Sequence, residues 1–304
     1  MRYIVGRLLQ GLLVLFGVTT IVFALTFVAG DPAATLAPLE ATPEERAEFA
    51  HNIGLDRPIP VQYVDFLAHA VRGDFGISYN SHEPAMGEVL ARLPATMELT
   101  AAAVLFALVV SIPLGLLAAM NHDKGIDVFA RLFAFLGQSI PVFLLGIVLI
   151  IVFAVDLHWL PSSGTGSWKN LVMPAVAVGS FSAAVLARLL RSSLLEVLSQ
   201  EYIRTAYAKG LRGRVVVVRH ALRNAALPFV TMIGLQVGFL LSGAVVAETI
   251  FAYPGMGRLA VTAISRKDVP VIQSFVIVAA VIVILANLFV DLVYTRIDPR
   301  IRLR

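Results

Sequence analysis

Residues 201–228 read EYIRTAYAKGLRGRVVVVRHALRNAALP, a basic stretch between two long apolar segments. Six Lys and Arg residues and His220 fall within it, and glycines at positions 210 and 213 divide it into two helix-like halves. Basic residues of this kind stay on the cytoplasmic side when the apolar segments around them enter a bilayer. The position of this stretch therefore indicates how the apolar segments before and after it are oriented in the membrane.

The bulk composition indicates a membrane protein. The 304-residue chain is 58% hydrophobic and 14% charged, with a mean hydropathy of +0.84, far from the average of soluble domains. It has no cysteine, which excludes disulfides, zinc–thiolate sites, iron–sulfur clusters and thiol nucleophiles. Because the positive charge is clustered between apolar segments, membrane orientation explains it better than nucleic-acid binding does.

Six stretches free of Asp, Glu, Lys and Arg are candidates for spanning helices, which need about 20 apolar residues. They are residues 8–30, 99–122, 132–155, 170–187, 224–247 and 269–290. Arg2 and Arg7 before the first stretch also fit a secretory signal peptide, but the apolar region of such a signal has only about 7 to 15 residues. We therefore expect an uncleaved first helix.

The distribution of Lys and Arg predicts the orientation of the six spans. With the N-terminus inside, 16 of the 24 Lys and Arg residues lie in inner segments and eight in outer segments. Four of those eight lie in residues 31–98, a segment whose length weakens its influence on topology. Both termini are thus expected in the cytoplasm, and the other outer loops, residues 156–169 and 248–268, are predicted to be connectors.

Residues 31–98 are too polar to span a membrane and have helix signals of their own. Thr42-Pro43-Glu44-Glu45 offers an N-cap, a first-turn proline and a capping glutamate. A second short helix is expected after Pro60 and a third near Met86, leading into Arg92-Leu93-Pro94. The segment is predicted to form a small helical cap outside the membrane.

Catalytic patterns are almost absent. There is no His-Glu-x-x-His spacing, no Gly-x-Ser-x-Gly elbow and no Gly-x4-Gly-Lys-Ser/Thr loop, so any ATP that drives this chain is hydrolysed by another subunit. His122 and Asp127 have the His-x4-Asp spacing of an acyltransferase pair, without a companion motif. A membrane-embedded acyltransferase or protease is therefore one rival hypothesis, and a secondary transporter driven by an ion gradient is another.

The basic stretch has the signals of a helix–turn–helix. A helix that opens at Ser199 or Gln200 would end at Gly210, and a second helix over residues 214–226 would run into Pro228. On the cytoplasmic surface such an element could contact anionic lipid headgroups, worth about 1 kcal/mol per basic residue, or dock a soluble partner. The residues alone leave both alternatives open.

Aligned on Gly210, residues 204–210 (RTAYAKG) resemble the Glu-Ala-Ala-x3-Gly loop of ABC importer permeases, which ends here at Leu227-Pro228. Arg204 stands where the general pattern has Glu, and the distance to Leu227-Pro228 exceeds that of the sugar importers. Both departures resemble the peptide/nickel subfamily, specifically the B-type permease subunits of dipeptide, oligopeptide, glutathione and nickel importers. Tyr207 stands where that subfamily often has Arg.

The resemblance covers nearly the whole chain. The other matching segments are Gly30-Asp31-Pro32, Gly54-Leu55-Asp56-Arg57-Pro58, Gly73-Asp74-Phe75-Gly76, Arg92-Leu93-Pro94-Ala95-Thr96, Glu248-Thr249-Ile250-Phe251, Tyr253-Pro254-Gly255 and Asp298-Pro299-Arg300-Ile301-Arg302.

The resemblance implies an all-α membrane protein with six transmembrane helices, the type I ABC importer permease fold, and a small extracytoplasmic helical segment between the first two spans. Residues 1–30 would form the N-terminal tail and first transmembrane helix, and residues 31–98 the extracytoplasmic segment. Residues 99–304 would form the permease core, with a cytoplasmic coupling loop at 199–228. The location implied is the bacterial inner membrane.

The function implied is that of a permease subunit of an ATP-driven importer of di- and oligopeptides, delivered by a solute-binding protein. Nickel or a metal chelate, glutathione and opine-like compounds are alternative substrates; no His-rich or Met-rich tract favours a bare metal ion. The chain is not expected to be an enzyme or to bind a cofactor or metal. ATP and Mg are expected to bind to partner subunits. The partners implied are a second homologous permease in a heterodimer, two cytoplasmic ATPase subunits, the extracytoplasmic solute-binding protein and the lipid bilayer, with no nucleic acid.

Two sets of functional residues follow. The resemblance implies an ATPase-coupling loop in which Gly210 and Gly213 permit a tight turn; its residues are Glu201, Arg204, Thr205, Ala206, Tyr207, Ala208, Lys209, Gly210 and Leu211. Polar residues inside spans are candidates for a pathway or gate, with helix–helix hydrogen bonds as the alternative role. These residues are Gln138, Ser139, Gln236, Ser242, Glu248 and Asn287.

Overall fold

The computed structural model describes residues 2–28, 42, 51 and 56–297. Within them the regular elements are helices, and the only β pairing is an isolated bridge between Ile77 and Pro84. The helices are α1 (Arg2–Val28), α2 (Ile59–Val71), α3 (Ala85–Met120), α4 (Gly125–Ser139), α5 (Val142–Leu149), α6 (Trp168–Leu198), α7 (Glu201–Ala208), α8 (Gly213–Val215), α9 (Leu222–Ile250), α10 (Met256–Ser265) and α11 (Val269–Ile297). Two π-helical stretches follow α5 and α8, at Ile150–Asp156 and Val216–Ala221.

All six predicted spans are found as helices. By length and hydropathy, α3, α6, the run Gly213–Ile250 and the part Val269–Val290 of α11 can each cross a membrane. A fifth span consists of α4 and α5 with its π-helical stretch, bent by 105° at the break. The sixth is α1, which is 27 residues long and contains the apolar stretch Leu9–Ala24. The expected all-α fold is confirmed.

The structure differs from the predicted boundaries where charged residues interrupt an apolar run. The separate helix expected near Met86 does not exist, because α3 continues unbroken for 36 residues. Glu88, Arg92 and Glu98 end the apolar pattern, but they are compatible with helical backbone. A count of apolar residues therefore locates the hydrocarbon region and misses the end of the helix.

One of the outer loops contains more helix than the sequence predicts. Another lies partly outside the described residues. The predicted connector 248–268 contains α10, whose Met256, Ala260 and Ala263 are buried at helical spacing. The short helix expected after Pro60 is found as α2. The predicted cap at Thr42-Pro43-Glu44-Glu45 lies mostly outside the described residues.

The chain divides into two compact units. The unit made of residues 1–94 and 255–284 has a small core; its buried residues are Ala85, Val89, Met256, Ala263, Val271 and Val278. Aromatic contacts join α1 to α2, with the ring centroids of Phe23 and Tyr63 5.2 Å apart. Such aromatic pairs stabilise by about 0.5–1.5 kcal/mol beyond the area they bury.

Asp268 organises the polar part of the same unit. Its carboxylate is 2% exposed and accepts hydrogen bonds from the Ser78 hydroxyl at 2.6 Å, the Tyr79 backbone N–H at 3.2 Å and the Asn80 side-chain amide at 2.9 Å. Burial, followed by the negative charge of Asp268, raises the pKa of Tyr79 to about 12. The loop before α3 is thereby attached to the residue that precedes α11.

The unit made of residues 95–254 and 285–304 is built around α6. A Cβ atom at Gly179 would lie 2.7 Å from the carbonyl oxygen of Ala103, so the backbone of α3 packs directly against α6. A Cβ atom at Gly234 would lie 2.4 Å from the Val290 side chain, which shows that α9 and α11 approach each other closely at this glycine. Small residues thus bring spans together where lipid offers no hydrophobic driving force.

Candidate functional site

The coupling region begins with α7, an eight-residue helix over Glu201–Ala208. It starts after Gln200, as expected, and it stops at Gly210, whose φ of +76° lies in the left-handed region. The Gly210 N–H donates to the Tyr207 carbonyl at 2.9 Å, which closes the last turn. Glycine adopts this backbone without a steric penalty, so the residue type fits the turn.

Gly213, the other glycine of the predicted turn, has a different role. It begins α8, and its backbone φ is not positive. A Cβ atom there would have the Tyr207 hydroxyl, at 3.8 Å, as its nearest neighbour. Of the two glycines, Gly210 has a backbone conformation that side chains disfavour, and Gly213 does not.

Two side chains one turn apart anchor α7. Ile203 is 1% exposed and Ala206 is 8% exposed, and both join a core cluster with Leu194, Val216 and Ala221. The other contact is polar, since the Asn224 amide donates to the Tyr202 hydroxyl at 2.7 Å. The helix is therefore held both by apolar burial and by a hydrogen bond.

The outward face of α7 and its turn is open. Ala206, which the resemblance placed among the docking residues, faces the chain's own core. The eight other residues of that set are exposed; they are Glu201, Arg204, Thr205, Tyr207, Ala208, Lys209, Gly210 and Leu211. A mixed basic and aromatic surface on an anchored helix is available to a partner.

The second helix of the basic stretch continues beyond Pro228, where the sequence suggested that it ends. The run from α8 through the π-helical stretch to α9 reaches Ile250 without a break. Proline is tolerated inside a transmembrane helix because neighbouring helices and local π-helical adjustments satisfy the freed backbone groups. The second half of the basic stretch is thus continuous with a full-length span.

Gln138 and Ser139 lie at the bend of the broken span. The Gln138 amide donates to the Ala134 carbonyl and the Ser139 hydroxyl donates to the Phe135 carbonyl, each at 2.8 Å. Both bonds stay within α4, where each side chain bonds back to the carbonyl four residues earlier. The two side chains lie just before the break at Pro141, and among the described residues their hydrogen bonds stay within α4.

The remaining pathway candidates differ in exposure. Gln236 is only 7% exposed, and its amide nitrogen has no hydrogen-bond partner within the described residues. Ser242 and Asn287 are exposed. Buried polar groups are almost always hydrogen-bonded, so the Gln236 amide is a group that a passing solute or water can satisfy.

Glu248 is enclosed in this conformation. Its side chain is 0% exposed and accepts a hydrogen bond from Thr96 at 2.6 Å. Nearby, the Tyr253 hydroxyl donates to Glu98 at 3.1 Å. Burial, this hydrogen bond and the charges of Glu98 and Glu248 raise the pKa of Tyr253 to about 12. The carboxylate is placed inside the protein and away from any surface open to a receptor.

The acyltransferase hypothesis needs Asp127 as the partner of His122, and in the structure Asp127 pairs with an arginine. This carboxylate is 0% exposed; it pairs with the Arg191 guanidinium through both oxygens, with Nη2 at 2.8 Å, and accepts the Asp123 N–H at 3.0 Å. His122 contacts Asp123 instead, at 3.0 Å. Asp127 is thus a partner of arginine, and the ligand atoms of His122, Asp123 and Asp127 lie within 4.8 Å of one another.

Two family models together account for almost the entire chain. The family described as "Binding-protein-dependent transport system inner membrane component" matches residues 111–303, and "Binding-prot-dependent transport system membrane comp, N-term" matches residues 1–100. The chain belongs to the binding-protein-dependent transport system inner membrane component family. It is an ABC importer permease of the peptide/nickel type.

Curated relatives match this chain over almost their full length, and their names state a specific transport system. The glutathione transport system permease protein GsiC of Escherichia coli (strain K12) is 40% identical over 303 residues, covering 99% of each chain. The protein of that name in Salmonella typhimurium (strain LT2) has the same identity and coverage. This permease is therefore similar in full length to membrane components of transport systems.

Solved structures share the fold at low identity. A structure of the MetNI methionine ABC transporter, in an inward-facing conformation, matches with a TM-score of 0.60 and 19% identity over 70% of this chain and 97% of that chain. An amino acid ABC transporter matches with a TM-score of 0.55 and 14% identity, covering 69% of this chain and 94% of that chain. The permease core has the type I ABC importer fold.

Proposed function

We propose that this permease is a subunit of an ATP-driven importer that takes up short peptides, with glutathione, itself a tripeptide, among its substrates. The observation that carries the proposal is the 40% identity to glutathione transport permeases over 99% of both chains. Nickel, metal chelates and opine-like compounds are the alternatives within the same subfamily. Measuring the uptake of free peptide and of glutathione distinguishes these candidate substrates directly.

The coupling role of α7 is the second part of the proposal. Its anchored inner face and exposed outer face fit a helix that sits in a groove of a cytoplasmic ATPase and passes the movement of that ATPase to α9. The Tyr202–Asn224 hydrogen bond supports such transmission, because it joins α7 to the start of α9 at 2.7 Å. Two ATPase subunits, which bind ATP and Mg, and a second homologous permease complete the assembly; this chain binds no cofactor itself.

The orientation follows from the same assignment. We place the basic stretch and both termini in the cytoplasm and the segment 31–98, including α2, outside, where a solute-binding protein delivers the substrate. Two exposed tryptophans, Trp159 in the loop before α6 and Trp168 at its first residue, fit a membrane interface at this end of α6. Tryptophan is enriched at membrane interfaces, and the two rings lie at the end of the spans away from the basic stretch.

The substrate path is assigned to the interior near Gln236. Its unpaired amide can hydrogen-bond to the peptide groups of a passing substrate, each of which offers a donor and an acceptor. Ser242 and Asn287 are exposed polar residues in spans and would face either this path or the partner permease. Glu248, enclosed with Thr96, would act as part of an outer closure that opens during transport.

The experiment is reconstitution in proteoliposomes of this permease with the second permease and the ATPases encoded beside it, together with the binding protein. We expect ATP-dependent uptake of labelled glutathione or a labelled dipeptide, and no uptake when the ATPases are left out. Uptake of nickel without any peptide uptake would overturn the substrate assignment. Uptake by this chain alone on an ion gradient would overturn the importer role and favour a secondary transporter.

A further inference from the structure

A groove of about 240 Å³ lies between α4 and α6, near the ends of both helices that adjoin the basic stretch. Seven residues line it: Ala130, Arg131, Ala134, Phe135, Ala187, Arg188 and Arg191. The volume is smaller than the about 300–1,000 Å³ of pockets that enclose a drug-sized ligand. The groove therefore fits a headgroup and the first part of a chain, and not an enclosed solute.

The apolar side of the groove continues onto a surface that lipid would cover. Ala130, Ala134 and Ala187 form a buried floor. Phe135, at 67% exposure, forms one wall, and Leu132 and Phe129 are 56% and 62% exposed on the same helix. Large exposed apolar side chains on a transmembrane helix face acyl chains or another membrane subunit.

The charged side of the groove has an excess of arginine. Arg191 is neutralised by Asp127, and Arg131 lies loosely near Asp127 and Asp123, at 3.7 and 3.8 Å. Arg188 is exposed and makes no ion pair within the described residues. Three guanidinium groups thus face two carboxylates, which leaves one positive charge for an anion.

We propose that this groove binds the phosphate headgroup of an anionic phospholipid from the leaflet beside the basic stretch. The arginines hold the phosphodiester, and the acyl chains run along Phe135 and Leu132. Basic pockets between transmembrane helices on the cytoplasmic side bind anionic headgroups by this combination of charge and apolar wall. A soluble acidic partner would satisfy the charges and leave the apolar wall uncovered. The assignment goes beyond the proposed transport function and does not depend on the substrate.

The test is native mass spectrometry of the full chain in a non-ionic detergent, with equal amounts of phosphatidylglycerol and phosphatidylcholine that have identical acyl chains. We expect the wild-type protein to retain phosphatidylglycerol preferentially. Each of the substitutions Arg131→Gln and Arg188→Gln should lower that preference about fivefold, and Arg188→Lys should keep it. Arg212→Gln, on the exposed part of the basic stretch, is the matched control and should have no effect.

Several outcomes would overturn the assignment. Equal retention of the two lipids by the wild-type chain would exclude an anionic site. A loss in Arg212→Gln equal to that in Arg188→Gln would place the lipid contact on the basic stretch instead. Competition by free glycerol 3-phosphate at the same concentration would indicate a soluble anion. Unchanged lipid retention in Arg188→Gln, with weaker co-purification of the second permease or the ATPases, would make the groove a protein interface.

Discussion

The side chains of Tyr202 and Asn224 are joined by a hydrogen bond of 2.7 Å that connects the short helix α7 to the start of the long helix α9. The two residues are 22 positions apart in sequence, and the turn at Gly210 and the π-helical stretch lie between them. The bond gives α7 a polar attachment in addition to the buried side chains of Ile203 and Ala206. It attaches α7 directly to a transmembrane span.

Tyr202→Phe should weaken coupling without preventing insertion. The substitution removes the acceptor for Asn224, and a net hydrogen bond contributes about 0.5–1.5 kcal/mol; because the pair is exposed, we expect the lower end, a two- to threefold fall in substrate transported per ATP hydrolysed. Tyr207→Phe is the matched control, since Tyr207 is similarly exposed. Equal effects of the two substitutions in proteoliposomes would show that the Tyr202 bond has no special role.

Gly210→Val should uncouple ATP hydrolysis from uptake. A side chain in the left-handed region costs about 1–2 kcal/mol, more for a β-branched residue, so the turn would change and α7 would be presented differently. Gly213→Ala, at a helical position where a Cβ atom would make ordinary van der Waals contact with Tyr207, should retain uptake. Unchanged transport by the Gly210→Val protein at normal expression would contradict the coupling role of this turn.

Gln236→Leu should impair transport more than stability. The buried amide nitrogen has no hydrogen-bond partner among the described residues, so its removal should leave the melting temperature in detergent unchanged or higher. If Gln236 contacts the passing substrate, the KM for uptake should rise several-fold. Gln138→Leu, which removes a bond within α4, provides the comparison. A lower melting temperature for Gln236→Leu with unchanged KM would assign Gln236 to packing alone.

Arg191→Gln should destabilise the permease strongly, because it leaves the buried carboxylate of Asp127 with only the looser ion pair to Arg131 at 3.7 Å. Breaking one side of a buried ion pair costs about 3–5 kcal/mol. The double variant Asp127→Asn with Arg191→Gln removes both charges and should recover much of that loss. The measurement is unfolding of the four proteins of this double-mutant cycle in detergent. Additive effects would mean that the two residues do not interact.

Asp268→Ala should loosen the loop before α3. Three groups, Ser78, Tyr79 and Asn80, lose their acceptor; Ser78 is the buried one, and a buried donor left unsatisfied costs about 1–3 kcal/mol. We expect faster proteolysis of the loop in right-side-out vesicles, while Arg266→Gln, at an exposed position two residues away, should behave like the wild type. Identical cleavage rates for the Asp268→Ala and wild-type proteins would exclude this attachment.

The sequence by itself determined the class of the protein and the number of its spans. Apolar runs of about 20 residues must form helices in a bilayer, because no other local structure satisfies the backbone there. It also located α7 and the turn at Gly210, since a glycine after a short helical pattern is a local signal. Helix ends were less well defined, because charged residues such as Glu88 end an apolar run and leave the helix intact.

Only the tertiary structure decided which side chains meet. Asp127 and Arg191 are 64 residues apart in sequence, and Asp268 and Ser78 are 190 apart; no local pattern encodes such pairs. The same holds for the burial of Ala206 and Glu248 and for the lack of strain at Gly213. These properties depend on packing between helices, which sequence periodicity describes one helix at a time.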